Sequence, residues 1–160
     1  MLSTNIQQMI KAQIVRELNN HDIYFTIASF FENNGLSGFA KFLTKQSQGE
    51  IDHATKFKNY LSDHQVEFTF AQTPVILENY NIPLDAFTII YQLEQKTTQE
   101  IQIISQAAMQ GGDYTTFTFL DWFRVEQVEE EKTIFDILDK IKNIGSDYGA
   151  LLFLDQHLEN

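Results

Sequence analysis

The sequence contains no cysteine, and this absence excludes several kinds of chemistry at once. Disulfide bridges, thiolate catalysis and cysteine-based zinc or iron–sulfur sites all need a thiol that the chain does not have. Any bound metal ion must therefore take oxygen and nitrogen ligands. Such ligands suit hard or borderline ions such as iron, manganese and zinc.

Proline, glycine and long apolar runs are scarce as well. The chain has two prolines and seven glycines among 160 residues, and no apolar run approaches the ~20 residues that cross a bilayer. Its first residues lack the charged start and apolar stretch of a secretory signal. We therefore expect a cytoplasmic protein without a membrane partner. Its length suffices for one domain with a full core, over residues 1–160.

Basic residues are outnumbered two to one. The chain carries 22 Asp and Glu against 11 Lys and Arg, which gives a formal net charge of −11. Such a field repels nucleic acid and anionic membranes and attracts cations. Many proteins are acidic simply to stay soluble, so the charge alone does not define a function. It does predict that nucleic acid is not a partner.

The few chain breaks separate long segments with helical periodicity. Turn signals occur at residues 33–35, 110–113 and 144–146, and the two prolines mark a further break between residues 73 and 83. The four long segments exceed the ~11–12 residues of an average helix, and such lengths are typical of a helix bundle. The apolar spacing predicts helices over about 5–32, 37–62, 83–110, 113–143 and 146–158.

The connections between these segments predict the topology. The first and second helices are joined by a tight turn, as are the third and fourth, so each pair forms an antiparallel hairpin. The stretch of about twenty residues between the hairpins could span the ~40 Å length of a bundle at ~3.3 Å per residue. We therefore expect an all-α, up-down-down-up four-helix bundle with a long crossover and a short fifth C-terminal helix.

Polar residues recur at matched positions on the apolar faces of the four long segments. Glu17 and Glu94 are 77 residues apart, and the same interval relates residue 50 to residue 127 and residue 53 to residue 130. Within each hairpin the two polar positions, 17 and 50 in the first and 94 and 127 in the second, are equidistant from the turn. Both positions therefore lie at a common height, ~25 Å from that turn. We expect the following side chains to meet inside the bundle: Glu17, Glu50, His53, Glu94, Gln127 and Glu130.

Bare charges would be very costly at such a place. Desolvation and mutual repulsion would raise the carboxyl pKa values unless something positive binds between them. Two divalent cations remove that cost, with either Glu50 alone or both Glu50 and Glu130 shared between them. Glu-x-x-His combined with glutamates from neighbouring helices is the ligand pattern of ferritin-like di-metal proteins. The first such pair is intact at residues 50–53, and the second is altered to Gln127-x-x-Glu130.

At these positions the sequence resembles the bacterial non-haem ferritins, across essentially the whole chain. Tyr24 on the first helix and Tyr91 on the third belong to the resemblance, and the longest match covers residues 113–122 and 126–131. Haem-containing bacterioferritins keep a second Glu-x-x-His and carry a haem-ligating methionine where this chain has Ile51. We therefore expect no haem.

The resemblance implies a ferroxidase, which oxidises Fe(II) with dioxygen or hydrogen peroxide, and storage of the Fe(III) product as a mineral. The iron would occupy a di-iron centre. One iron would be bound by Glu17, Glu50 and His53. The other would be bound by Glu50, Glu94 and Glu130.

Further residues have supporting roles in the resemblance. Tyr24 would hydrogen-bond the site and could supply an electron, and Gln127 would orient an oxygen species or water beside the metal ions. Glu126 and Glu129 match ligands of a third iron site that bacterial members often add. Another glutamate expected for that site is replaced by Gly49. The third site would therefore lack one of its ligands.

Family members assemble into homo-oligomeric shells of 24 subunits, and residues 147–157 resemble the short helix at the four-fold axes. Two other functions stay open. One is a di-metal carboxylate bundle with peroxidase or oxygenase chemistry, which would form a discrete oligomer without a mineral core. The other is a non-catalytic bundle for iron storage or structure, which would show no Fe(II)-dependent oxygen uptake.

Overall fold

The computed structural model describes residues 1–69, 77 and 79–158. The rest of the chain, including residues 70–76 and 78 of the predicted crossover, lies outside the described residues. The described part contains no strand, and none of its helices is long and apolar enough to cross a membrane. Its helices are α1 (Thr4–Asn33), α2 (Ser37–Asp63), α3 (Pro83–Gln110), α4 (Tyr114–Ile144) and α5 (Tyr148–Leu158). The predicted fold class, an all-α four-helix bundle with a short fifth helix, is confirmed.

Local sequence sets the starts of three long helices. Before α1, the side chain of Ser3 accepts a hydrogen bond from the backbone N–H of Ile6 at 3.3 Å. Before α4, Asp113 accepts one from the N–H of Thr116 at 2.9 Å. Pro83 opens α3, where its missing N–H costs no hydrogen bond. Ser3 and Asp113 thus accept hydrogen bonds from N–H groups of the first helical turn that have no partner within the helix. Pro83 has no N–H that could be left unpaired.

The fifth helix begins at Tyr148, two residues later than the sequence pattern indicates. Asp147 is the cause, because its Oδ1 accepts a hydrogen bond from the N–H of Ala150 at 3.0 Å. Its carbonyl oxygen accepts the first helical hydrogen bond, from Leu151, at 3.1 Å. Asp147 is thus the N-cap of α5, and the residues before it belong to the turn.

The start of α2 is held by a side chain from α5. Oδ1 of the buried Asp155 accepts a hydrogen bond from the backbone N–H of Phe39 at 2.9 Å. Leu36, at the N-cap position of α2, provides no side-chain cap of its own. Gly38 permits the close approach, since a Cβ at this position would lie 1.8 Å from the carbonyl oxygen of Asp155. The short fifth helix is therefore docked on the N-terminus of α2.

The hydrophobic core is divided into two clusters by a polar layer. One cluster surrounds Phe31 and Phe87, near the turn between α1 and α2, and the other surrounds Ile10, Phe57 and Phe123 toward the opposite end. The rings of Phe57 and Phe123 are stacked with their centroids 4.0 Å apart and join α2 to α4. Between the clusters the buried side chains of the long helices are polar: Glu17, Asn20, Ser47, Glu50, His53, Glu94, Thr97 and Gln127.

Candidate metal centre

The polar layer contains the buried residues that the sequence pattern assigned to a metal site. All four long helices contribute to it, and along the bundle it lies between the two apolar clusters. Five of the predicted ligands or supporting residues are 0–5% exposed: Glu17, Glu50, His53, Glu94 and Gln127. Tyr24 is fully buried as well, whereas Glu130 is half-buried.

Glu17, Glu50 and His53 form a group that could hold a metal ion. One ligand atom from each lies within 4.8 Å of the other two, and Nδ1 of His53 is 3.8 Å from Oε2 of Glu50. Oε2 of Glu17 is buried and has no hydrogen-bond partner. A buried acceptor without a donor is costly, and a bound cation would satisfy it. The donor set and this unpartnered oxygen both fit a divalent cation.

Both carboxylate oxygens of Glu94 accept hydrogen bonds. The hydroxyl of Tyr24 donates to Oε1, and Nε2 of Gln127 donates to Oε2 at 3.1 Å. The same nitrogen lies 3.3 Å from the hydroxyl oxygen of Thr98. Glu94 is therefore oriented from both sides. Its oxygens are not among the groups of clustered ligand atoms found in the described residues.

A second group combines His53 with Glu126 and Glu130, again with ligand atoms within 4.8 Å of one another. It borders a surface pocket of about 490 Å³ that Gly49 also lines. Glu126 and Glu130 are half-buried, whereas Glu129 is exposed and joins neither group of the described residues. Of the residues assigned to a third iron site, the structure thus brings Glu126 to the centre and leaves Glu129 outside it.

Burial raises the pKa of the carboxyl groups in this layer. Burial and then the charge of Glu94 raise the pKa of Glu50 to about 8. Burial raises the pKa of Glu94 to about 7, although the hydrogen bond from Tyr24 lowers it. The pKa values of Glu17 and Glu130 are raised too, in both cases chiefly by burial. The metal-free layer therefore retains protons at neutral pH, and a cation would displace them.

Sequence reasoning missed the amide side chains around the carboxylates. Nε2 of Gln13 donates to Oε1 of Glu17 at 2.7 Å, and Nε2 of Gln46 donates to Oε2 of Glu130 at 2.6 Å. Nδ2 of Asn20 donates to Oε2 of Glu50 at 3.3 Å. Spacing was the available signal, because these amides lie three or four residues from a predicted ligand of their own helix and so share its face.

The model for the ferritin-like domain family matches residues 7–144. A bacterial non-heme ferritin of Campylobacter jejuni is 35% identical over 162 residues, covering 100% of this chain and 96% of the relative. Another, of Bacteroides fragilis, is 32% identical over 158 residues, covering 99% and 98%. The similarity therefore extends along both chains almost completely.

Solved structures agree with this similarity. An open pore ferritin of the hyperthermophilic archaeon Archaeoglobus fulgidus superposes with a TM-score of 0.96 at 34% identity, covering 99% of this chain and 98% of that one. A humanized archaeal ferritin gives the same TM-score and identity, with coverages of 99% and 96%. With the five helices and the buried carboxylate layer, these matches lead to one conclusion. The chain belongs to the ferritin family and is similar to its bacterial non-haem members.

Proposed function

We propose that this protein stores iron and that it oxidises Fe(II) at the polar layer inside its bundle. The observation that carries the proposal is the buried group of Glu17, Glu50 and His53, whose ligand atoms lie within 4.8 Å of one another. Membership of the ferritin family supports iron as the metal. Oxygen and nitrogen donors of this kind suit Fe(II).

Two Fe(II) ions are bound as substrate in this proposal, with Glu50 between them. Glu17 and His53 complete one site, and Glu94 and Glu130 complete the other. The shared position of Glu50 follows the ligand pattern of ferritin-like di-metal proteins, and the charge of Glu94 adds to the effect of burial in raising the pKa of Glu50 to about 8. Cation binding requires the ionised carboxylates, so each loading event releases protons.

Oxidation removes one electron from each Fe(II). The two electrons, with two protons, reduce dioxygen to hydrogen peroxide, or hydrogen peroxide to two molecules of water. Ionised carboxylates favour the product, because their attraction to a cation grows with its charge. Tyr24 donates to Glu94 and keeps it oriented while the iron charge changes. Gln127 donates to the other oxygen of Glu94 and orients water or the oxidant beside the metal ions.

The Fe(III) product is deposited as mineral inside a shell of identical subunits. Twenty-four copies of an 18.6 kDa chain would have a mass of about 450 kDa. We expect the shell to act in the cytoplasm. His53, Glu126 and Glu130 support a third iron position beside the pair, since their ligand atoms also cluster within 4.8 Å.

Aerobic addition of Fe(II) to metal-free protein tests this function. Ferric absorbance, oxygen uptake and particle mass are followed together, in the wild type and in a Glu50→Ala/Glu130→Ala variant. Losing two ligands should slow oxidation by roughly tenfold or more. A Glu32→Ala/Glu67→Ala variant is the matched control, because both side chains are exposed and the charge change is the same.

The outcomes of this experiment distinguish the proposed function from the two alternatives. Oxidation that is fast in the wild type and control but slow in the site variant, within a large particle that accumulates iron, supports the proposal. Equal rates in all three proteins would overturn the site assignment. A discrete oligomer that consumes oxygen without forming mineral would instead favour peroxidase or oxygenase chemistry. Iron uptake without oxygen consumption would indicate a non-catalytic storage bundle.

A further inference from the structure

Each carboxylate proposed to bind iron accepts a hydrogen bond from a side-chain amide. Asparagine and glutamine supply all four donors, and no lysine or arginine is among the buried residues of the described chain. The donors therefore orient the carboxylates without adding positive charge. The pairs, donor first, are Gln13 with Glu17 (2.7 Å), Asn20 with Glu50 (3.3 Å), Gln127 with Glu94 (3.1 Å) and Gln46 with Glu130 (2.6 Å).

The neutrality of the donors has a chemical consequence. An ammonium or guanidinium group beside a carboxylate would form an ion pair and compete with a metal cation for the same oxygens. An amide N–H occupies only one lone pair of the carboxylate and leaves the charge in place. Groups that orient metal ligands in this manner strengthen metal binding. The amides thus have the chemistry expected of residues that prepare ligands for a divalent cation.

Asn20 has the most constrained position of these amides. It is 3% exposed, and its Nδ2 donates both to Oε2 of Glu50 on α2 and to the hydroxyl oxygen of Thr97 on α3, at 3.1 Å. Thr97 donates in turn to the carbonyl oxygen of Leu93 at 3.2 Å. A single amide on α1 therefore fixes the carboxylate of Glu50, on α2, relative to both α1 and α3. Asn20 and Thr97 are also 77 residues apart, the interval that relates the predicted ligands.

Gln46 makes the corresponding link on the opposite side. It extends from α2 to Glu130 on α4, the two helices that are also joined by the stacked rings of Phe57 and Phe123. Glu130 is only half-buried, so without this donor its carboxylate would be free to turn toward solvent. The hydrogen bond holds it on the side of His53, whose ligand atom it approaches within 4.8 Å.

We propose that Gln13, Asn20 and Gln46 are positioning residues, each of which orients one carboxylate for metal binding without neutralising it. The inference rests on the proposed function, since it concerns the same carboxylates. It goes further by assigning roles to three residues that contact a ligand and would not contact the metal.

Titration of full-length, metal-free protein with Co(II) tests the inference, because the visible spectrum of Co(II) reports the geometry of its ligands. The variants Gln13→Met, Asn20→Leu and Gln46→Met keep side-chain size and remove the amide. Each should weaken Co(II) binding by roughly tenfold or more and change the Co(II) spectrum. Gln99→Met, at an exposed position of α3, is the matched control and should behave as the wild type.

A purely structural role predicts a different result. In that case the variants would lose thermal stability, yet the folded protein would bind Co(II) with wild-type affinity and spectrum, which would overturn the inference alone. A wild type that binds no Co(II) would overturn the metal centre and this inference with it. If Asn20→Leu does not fold, Thr97→Val removes only the second partner of Asn20 and should produce a smaller change of the same kind.

Discussion

The hydroxyl of Tyr24 donates a hydrogen bond to Oε1 of Glu94, and both side chains are completely buried. The partners come from α1 and α3, so the bond joins the two hairpins at the level of the candidate metal centre. It opposes the effect of burial, which raises the pKa of Glu94 to about 7 even with this bond in place. Tyr24 therefore helps to decide the pH at which Glu94 ionises.

Replacing Tyr24 by phenylalanine should shift metal binding to higher pH. Without the hydroxyl, the ionised form of Glu94 loses a donor and its pKa rises, so the midpoint of Co(II) binding against pH should rise by roughly one pH unit. Tyr148→Phe removes an exposed hydroxyl from α5 and serves as the control. Coincident binding curves for Tyr24→Phe and the wild type would contradict the assigned hydrogen bond.

The metal-free protein should lose stability as the pH rises from about 4.5 to about 8. Burial raises the pKa of Glu50 from 4.5 to about 8 and that of Glu94 to about 7. Below pH 4.5 these carboxyl groups are protonated in both the folded and the unfolded chain. They then add no pH dependence to the free energy of unfolding. Between the two pKa values only the folded chain holds these protons, and the free energy of unfolding should fall by about 1.4 kcal/mol per pH unit for each proton.

Thermal unfolding in the presence of a chelator, measured at several pH values, checks this dependence. Glu50→Gln carries no proton that can be lost and should flatten the profile, whereas Glu32→Gln, at an exposed position, should leave it as in the wild type. A metal-free protein with a constant unfolding temperature between pH 5 and pH 8 would show that the layer is not protonated as described.

Metal binding near neutral pH should release protons. The carboxyl groups of Glu50 and Glu94 hold protons in this range, and a divalent cation binds only their ionised forms. Calorimetric titration with Zn(II) in buffers of different ionisation enthalpy counts the released protons. The count should decrease as the pH is raised above about 8. Heats that do not depend on the buffer would rule out the predicted exchange of protons for metal.

Asp155→Ala should destabilise the bundle by roughly 1–2 kcal/mol, the usual cost of losing a helix cap. The loss arises at the start of α2, where the N–H of Phe39 would lose its acceptor. Denaturant unfolding measures the change. Asp155→Asn keeps an acceptor oxygen and should cost less. If the two variants were equally destabilised, the charge of Asp155 and not the hydrogen bond would stabilise this helix end.

Alanine substitutions at two glycines of α2 should have opposite effects. At Gly38 the added Cβ would lie 1.8 Å from the carbonyl oxygen of Asp155, so α5 must move away and stability should fall. At Gly49 the Cβ would meet nothing within 4 Å, and the better helix propensity of alanine should add up to about 1 kcal/mol. Unfolding midpoints of the two variants, compared with the wild type, test this contrast.

The sequence alone predicted the fold because the signals for it are local. Long runs with 3.6-residue periodicity and few breakers define the helices. The paired polar positions of each hairpin are equidistant from its turn, which places them at one height. The structure brings Glu17, Glu50 and His53 together as this register requires. The chemical roles assigned to them stay predictions.

Other features depend on tertiary contacts that no local pattern encodes. The bond between Asp155 and Phe39 joins residues 116 positions apart, and the need for Gly38 arises only from the path of α5 above it. Amide side chains such as Asn20 are common on helix surfaces. Their burial and their donation to carboxylates depend on how three helices meet, so sequence spacing could only have suggested them.

The separation of the core into two clusters means that the long helices are joined at mid-height by polar side chains instead of apolar ones. Local opening is easiest where apolar contacts are few, so in the metal-free protein amide hydrogens near residues 17, 50, 94 and 127 should exchange faster than those near Phe31 and Phe57, inside the two apolar clusters. In the proposed centre one cation would join α1 to α2 and the other would join α2 to α3 and α4, so only the pair together would connect all four long helices. Binding and release of the cations would then stiffen and relax the middle of the bundle, while the two apolar clusters stay packed.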